Sequence, residues 1–342
     1  MDLDPTAEQQ QLVEALHGLL ATRCSSDVVR ISEPIGFNSD LWVTLSDLTG
    51  PAIGVPEVQG GSGASLLDLE LISEQIGAFL APVPFIENAV ATRALALTGD
   101  QGRAALDALI AEPAAVATVA LHPAVGDIAR LVPAGTIAGA VVALDADDLV
   151  VTCDPPTDGE RRNLGCSPLA DRSVRGPDRS VLATGIAARR VHEQARDEWR
   201  VLMSGALVGL GEAALALGVD YAKSRHQFGV AIGSFQSIAR DLADVATLVD
   251  GARLLAREAA WAQAEDDQDF RSLSSMAFLF ATRAARRASN VALHVHGGYG
   301  FTLEYDIQLY YRRAEAWPLA LGDPRRGVAD LADALFGPTE VA

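Results

Sequence analysis

Residues 190–223 read as one long helix, and that segment sets the architecture. Trp199, Leu202, Ala206, Leu210, Ala213, Ala214 and Leu217 recur at helical spacing, and the other faces hold Ala, Gly and Val rather than charges. A helix that is apolar on several sides must be covered on several sides, so this is a core helix. Residues 234–265 and 270–294 give two more long helices, and 303–313 and 324–336 two shorter ones. Long helices joined by short loops pack antiparallel as a four-helix bundle. A chain rich in Ala, Leu and Val with only 6% aromatic residues suits helix–helix packing better than an aromatic-rich β core.

Upstream the pattern changes twice. Residues 5–24 form an amphipathic helix capped by Thr6, with Leu12, Leu16, Leu19 and Leu20 as its apolar stripe. A short helix follows over 40–49, then a glycine-rich loop from Gly54 to Gly63, then a helix capped by Ser65 and two more to about residue 111. Residues 114–185 are β-like: 116–121, 137–144 and 148–153 read as strands, with Asp145–Asp148 as a hairpin turn and Pro155–Glu160 as a loop. The expected fold is mainly α with a small β domain, divided as 1–112 helical, 113–187 β and 188–342 helical bundle.

A net charge of −18 disfavours a nucleic-acid partner, because an acidic surface repels phosphate. Local basic clusters remain at Arg283, Arg286 and Arg287, at Arg312 and Arg313, and at Arg325 and Arg326. Cys24, Cys153 and Cys166 are scattered and odd in number, which argues against a disulfide framework or a zinc site and suits a reducing, cytoplasmic setting. The first residues lack the basic and apolar regions of a signal peptide, and no uninterrupted apolar run reaches the ~20 residues of a membrane span.

Two segments carry candidate chemistry. Ser224–Gln236 lies between two long helices, with Gly229 and Gly233 permitting a tight turn and Ser234 placed to cap the second helix. Its plain reading is a connector with Arg225 solvated. His294-Val-His-Gly-Gly-Tyr-Gly-Phe301 ends a helix with three glycines in four residues, more than a C-cap requires. Such glycines let a backbone approach a flat or phosphorylated ligand closely. His294 and His296 face different ways on a helix, so a shared metal is not expected.

These segments resemble the acyl-CoA dehydrogenase family. Arg225-His-Gln-Phe-Gly229 with Phe235-Gln236 is similar to one of its C-terminal signatures, and His296–Tyr305 followed by Arg312-Arg-Ala314 to the second. Gly54-Val-Pro-Glu57 with Gly60–Ser65 resembles its N-terminal loop. The resemblance spans about residues 5–330 in family order. It implies an N-terminal helical domain, a middle β domain and a C-terminal four-helix bundle, with FAD bound at a subunit interface. On the matching positions, Arg225, Phe228 and Gln236, then His294, Gly297 and Gly298, would contact the FAD of a neighbouring subunit. His294 stands where Gln is commoner.

The chain departs from the family where the reaction needs a base. The family removes an α-proton with a glutamate while a hydride leaves the β-carbon for the flavin. The commoner glutamate position holds Leu321, followed by Gly322-Asp323, and the minority position on the first bundle helix holds Trp199. Glu198 is the fallback acid, but one residue along a helix is ~100° of rotation. The middle domain keeps only fragments of the family's Thr-Glu-Pro…Gly-Ser-Asp stretch, at Ala120–Asp127.

The resemblance therefore implies a subunit that lends residues to a neighbour's FAD and lacks those for its own flavin ring and base. It points to a homologous partner chain in an α2β2 assembly, of the kind found in actinobacterial steroid catabolism. The expected substrate is an acyl-CoA, with a steroid-CoA thioester preferred, and the expected acceptor is an electron-transfer flavoprotein. One alternative is a self-sufficient dehydrogenase using Glu198, Asp323 or Glu304 as base; another is a non-enzymatic structural subunit.

Overall fold

The structure is a computed structural model that describes residues 3–156 and 162–337, apart from the side chain of Ala334. Six helices come first: α1 (Ala7–Arg23), α2 (Ser26–Ser32), α3 (Ser39–Thr49), α4 (Leu66–Ala78), α5 (Phe85–Leu97) and α6 (Asp100–Ala111). Six strands follow: β1 (Ala117–Val119), β2 (Ile128–Val132), β3 (Ala140–Asp145), β4 (Asp148–Thr152), β5 (Ala170–Ser173) and β6 (Ser180–Thr184). The long helix α7 (Gly185–Ser224) leads to a small hairpin, β7 (His226–Gln227) and β8 (Val230–Ala231). Helices α8 (Gln236–Ala264), α9 (Phe270–His296), α10 (Ile307–Ala316) and α11 (Pro324–Phe336) follow among the described residues. The loop expected at Pro155–Glu160 falls largely outside the described residues.

By internal contacts the chain forms two compact units, one from 1–29, 70–81 and 200–342, the other from 30–69 and 82–199. In the first unit, α8 and α9 pack as a pair, and α10 and α11 pack on α9. Helix α7 reaches α8 and α9 through Gly211 and Gly218, which lie against Val249, Ala285, Ala292 and Leu242. Ala214, Ala292, Leu293 and Ile307 form a buried cluster there. The end of α4 crosses α7 backbone to backbone: a side chain at Gly77 would strike the Ala206 carbonyl, and one at Gly209 the Glu74 carbonyl. Glycine is required at that approach. Beside it Arg253 binds Glu74 at 3.0 Å and Glu212 at 2.5 Å, while burial, and then the neighbouring Glu74, push the Glu70 carboxyl well above its ordinary range.

Helix α7 is long and apolar enough to cross a membrane by length and composition alone, but 72% of its apolar window is buried within the protein. That burial marks a core helix, as its all-round apolarity implies.

In the second unit, a four-stranded sheet runs β1-β3-β4-β6, with β1 parallel to β3 and the other pairs antiparallel. Asp145 pairs with Asp148 across the expected hairpin, where Ala146 takes a left-handed φ of 53°. Strands β2 and β5 form a separate antiparallel ribbon. Its Arg172 is 1% exposed and donates to the carbonyls of Gly135 at 2.8 Å and Ala138 at 2.7 Å, and to that of Asp154. One guanidinium thus satisfies buried backbone acceptors that would otherwise cost about 1–3 kcal/mol each.

Candidate cofactor half-site and base positions

The segment after α7 folds as a hairpin, with His226 paired to Ala231 and Gln227 to Val230. Its turn residues, Phe228 and Gly229, have φ of 54° and 83°. Positive φ at both central positions is the turn that matches strand twist. Gly229 adopts it freely, whereas an aromatic residue in that region costs about 1–2 kcal/mol. Phe228 is nevertheless 92% exposed. The hairpin holds a strained aromatic side chain out from the surface, as binding sites do.

Two expectations change here. The turn is built on Phe228 and Gly229, not on Gly233, which packs against Ala222. Ser234 does not cap α8. Its hydroxyl donates to the Ala231 carbonyl at 2.7 Å, and the N-cap position is Phe235.

The second segment follows α9, whose C-cap Gly297 has φ 62°. A Cβ at Gly297 or Gly298 would meet nothing within 4 Å, so a flat ligand has room to reach this backbone. His294 is exposed, whereas His296 is buried, as their spacing on one helix implies. The two segments meet: the Arg225 guanidinium lies 6.0 Å from the Tyr299 ring centroid. Phe228 and Phe235 meet edge-on at 6.2 Å, and Gln236 opens α8 with its side chain exposed.

Beneath this surface is an aromatic stack that the sequence reading did not single out. His296 stacks on Tyr221 at 4.2 Å, and Tyr305 meets both rings edge-on. Tyr299 joins them through Tyr305 at 5.6 Å. The His296 ring is fixed by its Nδ1, 2.7 Å from the Ala292 carbonyl. The stack ties the end of α7 to the end of α9, so Arg225 and the open glycines are held by one support. A guanidinium, an exposed aromatic ring and an unobstructed glycine backbone fit the pyrophosphate and rings of FAD, so the chain's own residues suit that cofactor.

The base positions are different. Leu321 ends a 3₁₀ turn, Trp317–Leu321, half-buried and without ionisable atoms. Asp323 caps α11 and is held down to about 2 by hydrogen bonds from Arg325, which makes it a weak base. Glu304 is exposed, and a hydrogen bond from Thr302 lowers it as well.

In the second unit Trp199 is 2% exposed. Glu198, the fallback acid, is 1% exposed and bound by Arg93 through Nε at 2.8 Å and Nη2 at 3.0 Å, with Gln194 donating to it at 3.0 Å. Both oxygens of the fallback acid are thus engaged by neighbouring side chains, which hold it in place. Trp199 instead faces Glu87, an acid the sequence reading missed. Burial pushes the Glu87 carboxyl up to about 6, and the contact with Trp199 partly offsets that rise.

The stretch Ala120–Asp127 is tied into the same unit. Ala120 and Ala124 donate to the Val142 and Leu144 carbonyls of β3, both at 2.8 Å. Asp127 accepts from Arg175 at 3.1 Å. His192 places Nε2 2.8 Å from the Ala120 carbonyl, and burial lowers this histidine to about 4. Nε2 therefore carries the proton and donates.

Comparison with known proteins agrees with this layout. Residues 6–105 match the acyl-CoA dehydrogenase N-terminal domain and residues 189–333 the C-terminal domain. The chain is 30% identical over 338 residues to acyl-CoA dehydrogenase IpdE2 of Mycolicibacterium smegmatis, covering 96% of this chain and 99% of that one. Among solved structures, the ChsE4-ChsE5 complex from Mycobacterium tuberculosis has a similar chain, with TM-score 0.85, 23% identity and coverage of 99% and 100%. A steroid ACAD, Tcur3481-Tcur3483, gives TM-score 0.84 at 22% identity, covering 96% of this chain and 97% of that one. The chain belongs to the acyl-CoA dehydrogenase family, whose members are FAD-dependent oxidoreductases acting on acyl-CoA thioesters.

Proposed function

We propose that this chain is the base-lacking subunit of a two-chain acyl-CoA dehydrogenase that introduces an α,β double bond into an acyl-CoA thioester. FAD held by Arg225, Phe228, Gln236, His294, Gly297 and Gly298 would supply the acceptor for the hydride of the β-carbon. The α-proton needs a carboxylate within reach. The carrying observation is that both family positions for that carboxylate are filled by side chains that accept no proton, Leu321 and the buried Trp199. Two of the nearby acids are engaged elsewhere, since Arg93 occupies Glu198 and Arg325 holds Asp323 low.

The half that faces a neighbour is kept. Arg225, Phe228, Gln236 and His294 are exposed, and Gly297 and Gly298 are open. A homologous partner chain that retains the base and the flavin-ring contacts would complete the site, giving an α2β2 assembly with one FAD per unlike pair. The similarity to a chain of the ChsE4-ChsE5 complex supports the partner, and that to the steroid ACAD Tcur3481-Tcur3483 supports a steroid-CoA thioester as substrate class. An electron-transfer flavoprotein is the proposed acceptor, and three free thiols fit a cytoplasmic setting.

The test is turnover of an acyl-CoA with an artificial electron acceptor, by the chain alone and after co-expression with the partner. Activity only in the complex supports the proposal; activity in the chain alone contradicts it. A self-sufficient enzyme has one observation in its favour, the raised carboxyl of Glu87 beside Trp199. Turnover by the lone chain that Glu87→Gln abolishes would establish that reading.

A further inference from the structure

On α4, Glu70 is fully buried, and neither of its carboxyl oxygens has a hydrogen-bond partner among the described residues. Helix α7 closes over it: a Cβ at Gly205 would stand 3.0 Å from Oε1 and 3.2 Å from Cγ. A residue without a side chain lets the helix come that near. Carboxyls are seldom left in such a place, because an unpartnered polar group costs free energy when buried and an unpaired charge costs far more.

The cations nearby are already taken. Arg253 on α8 binds Glu74 at 3.0 Å, Glu212 at 2.5 Å and Asp250 at 3.0 Å. Arg257, one turn further along α8, lies 3.7 Å from the second Glu74 oxygen. Two guanidiniums therefore serve three carboxylates before Glu70 is counted. The charges that act on Glu70 are Glu74 from its own helix and Arg257 and Arg253 from α8, while α7 faces it with Gly205. Burial first and Glu74 second raise its carboxyl, and the two arginines offset them only in part.

We propose that Glu70 is kept as a neutral carboxylic acid at neutral pH, and that the junction of α4, α7 and α8 is a proton lock. Release of that proton to solvent leaves a fourth negative charge between the helices with no cation to receive it, and the junction loosens. Gly205 lies roughly 30 Å along α7 from the end of the helix at Ser224. The lock therefore acts on the packing of the bundle and not on Arg225 and the glycines. It stands independently of the two-chain reading.

Two measurements on the full chain test this. Difference infrared spectra of wild type against Glu70→Gln at neutral pH should show the carbonyl band of a protonated carboxyl that the variant lacks. A carboxylate band in its place overturns the inference. The second measurement is denaturant unfolding as a function of pH. The folded chain holds the Glu70 proton above the ordinary 4.5 at which the unfolded chain releases it, so a rise in pH favours the unfolded state. Relative to Glu70→Gln, the wild-type folding equilibrium should weaken by about tenfold per pH unit above that value, until Glu70 ionises in the fold and the two curves run parallel. His192 and Glu87 titrate in both chains and cancel in the comparison. Curves that are parallel throughout overturn the inference. The Gln amide is itself left without a partner, so Glu70→Met, of similar volume and without a hydrogen-bonding group, is the second variant. It should abolish the same slope and exceed wild type in stability at alkaline pH. A Glu70→Met chain that is weaker than wild type at alkaline pH would mean that the carboxylate is paired in the fold, which also overturns the lock.

Discussion

Arg93 holds Glu198 through two parallel hydrogen bonds, Nε to Oε2 at 2.8 Å and Nη2 to Oε1 at 3.0 Å, while its Nη1 donates to the Gly54 carbonyl at 2.9 Å. The pair joins the start of α7 to α5 and the N-terminal loop within the second unit. It engages both oxygens of Glu198, next to the buried Trp199.

Removing one partner exposes that role. Arg93→Ala strands a carboxylate that is 1% exposed and should cost about 3–5 kcal/mol in denaturant unfolding. Glu198→Gln should also destabilise the chain, but a complex containing it should keep its turnover number within a few-fold. A loss of a thousandfold or more, the scale of a missing general base, would return Glu198 to the mechanism.

Arg225→Ala removes an exposed guanidinium and no core atom. Stability should stay within about 0.5 kcal/mol of wild type. Flavin bound per complex should fall sharply. Wild-type flavin content in this variant would show that Arg225 does not contact the cofactor.

Leu321→Glu restores a carboxylate at the commoner base position. In the isolated chain it should give no dehydrogenation, because Ala120–Asp127 still lacks most of the family's flavin-ring residues. Measurable turnover would mean that the chain retains its own complete flavin site.

Stability should bend with pH in a way that one buried group, His192, and one half-buried group, Glu87, explain. His192 is lowered to about 4 from 6.5, so as pH falls below 6.5 the unfolded chain binds a proton that the folded chain refuses, and stability drops. At about 1.4 kcal/mol per unit this reaches about 3 kcal/mol near pH 4. Glu87 is raised to about 6 from 4.5, so the folded chain binds the extra proton and stability rises as pH falls from 6 to 4.5. That gain is at most about 2 kcal/mol and partly masks the histidine. His192→Gln should remove the acid-side loss, and Glu87→Gln should deepen it. Identical pH profiles in all three proteins would contradict both assignments.

How much was legible in the sequence follows from the range of each interaction. The Thr6 cap on α1 is local: Thr6 and Gln9 bond reciprocally within one turn, and short-range pattern finds such caps. Ser65 and Asp68 do the same at the start of α4. The β3–β4 hairpin was readable because its apolar runs flank a polar turn. Strand β5 was not, since Ala170–Ser173 carries two charges and its arginine is buried only because distant carbonyls receive it. The cofactor segments were legible as a resemblance, yet the tyrosines and His296 that support them meet only when α7 and α9 come together. Glu87 was missed for the same reason, because its partner Trp199 lies on another helix far along the chain.

The central claim is a site shared between two chains, and the visible absorbance spectrum tests it most directly. The chain should be purified alone and again after co-expression with its partner. Flavin bands in the complex and none in the lone chain are the expected result. Flavin bands in the lone chain that bleach on addition of an acyl-CoA would contradict the claim, because the chain would then hold a whole active site of its own.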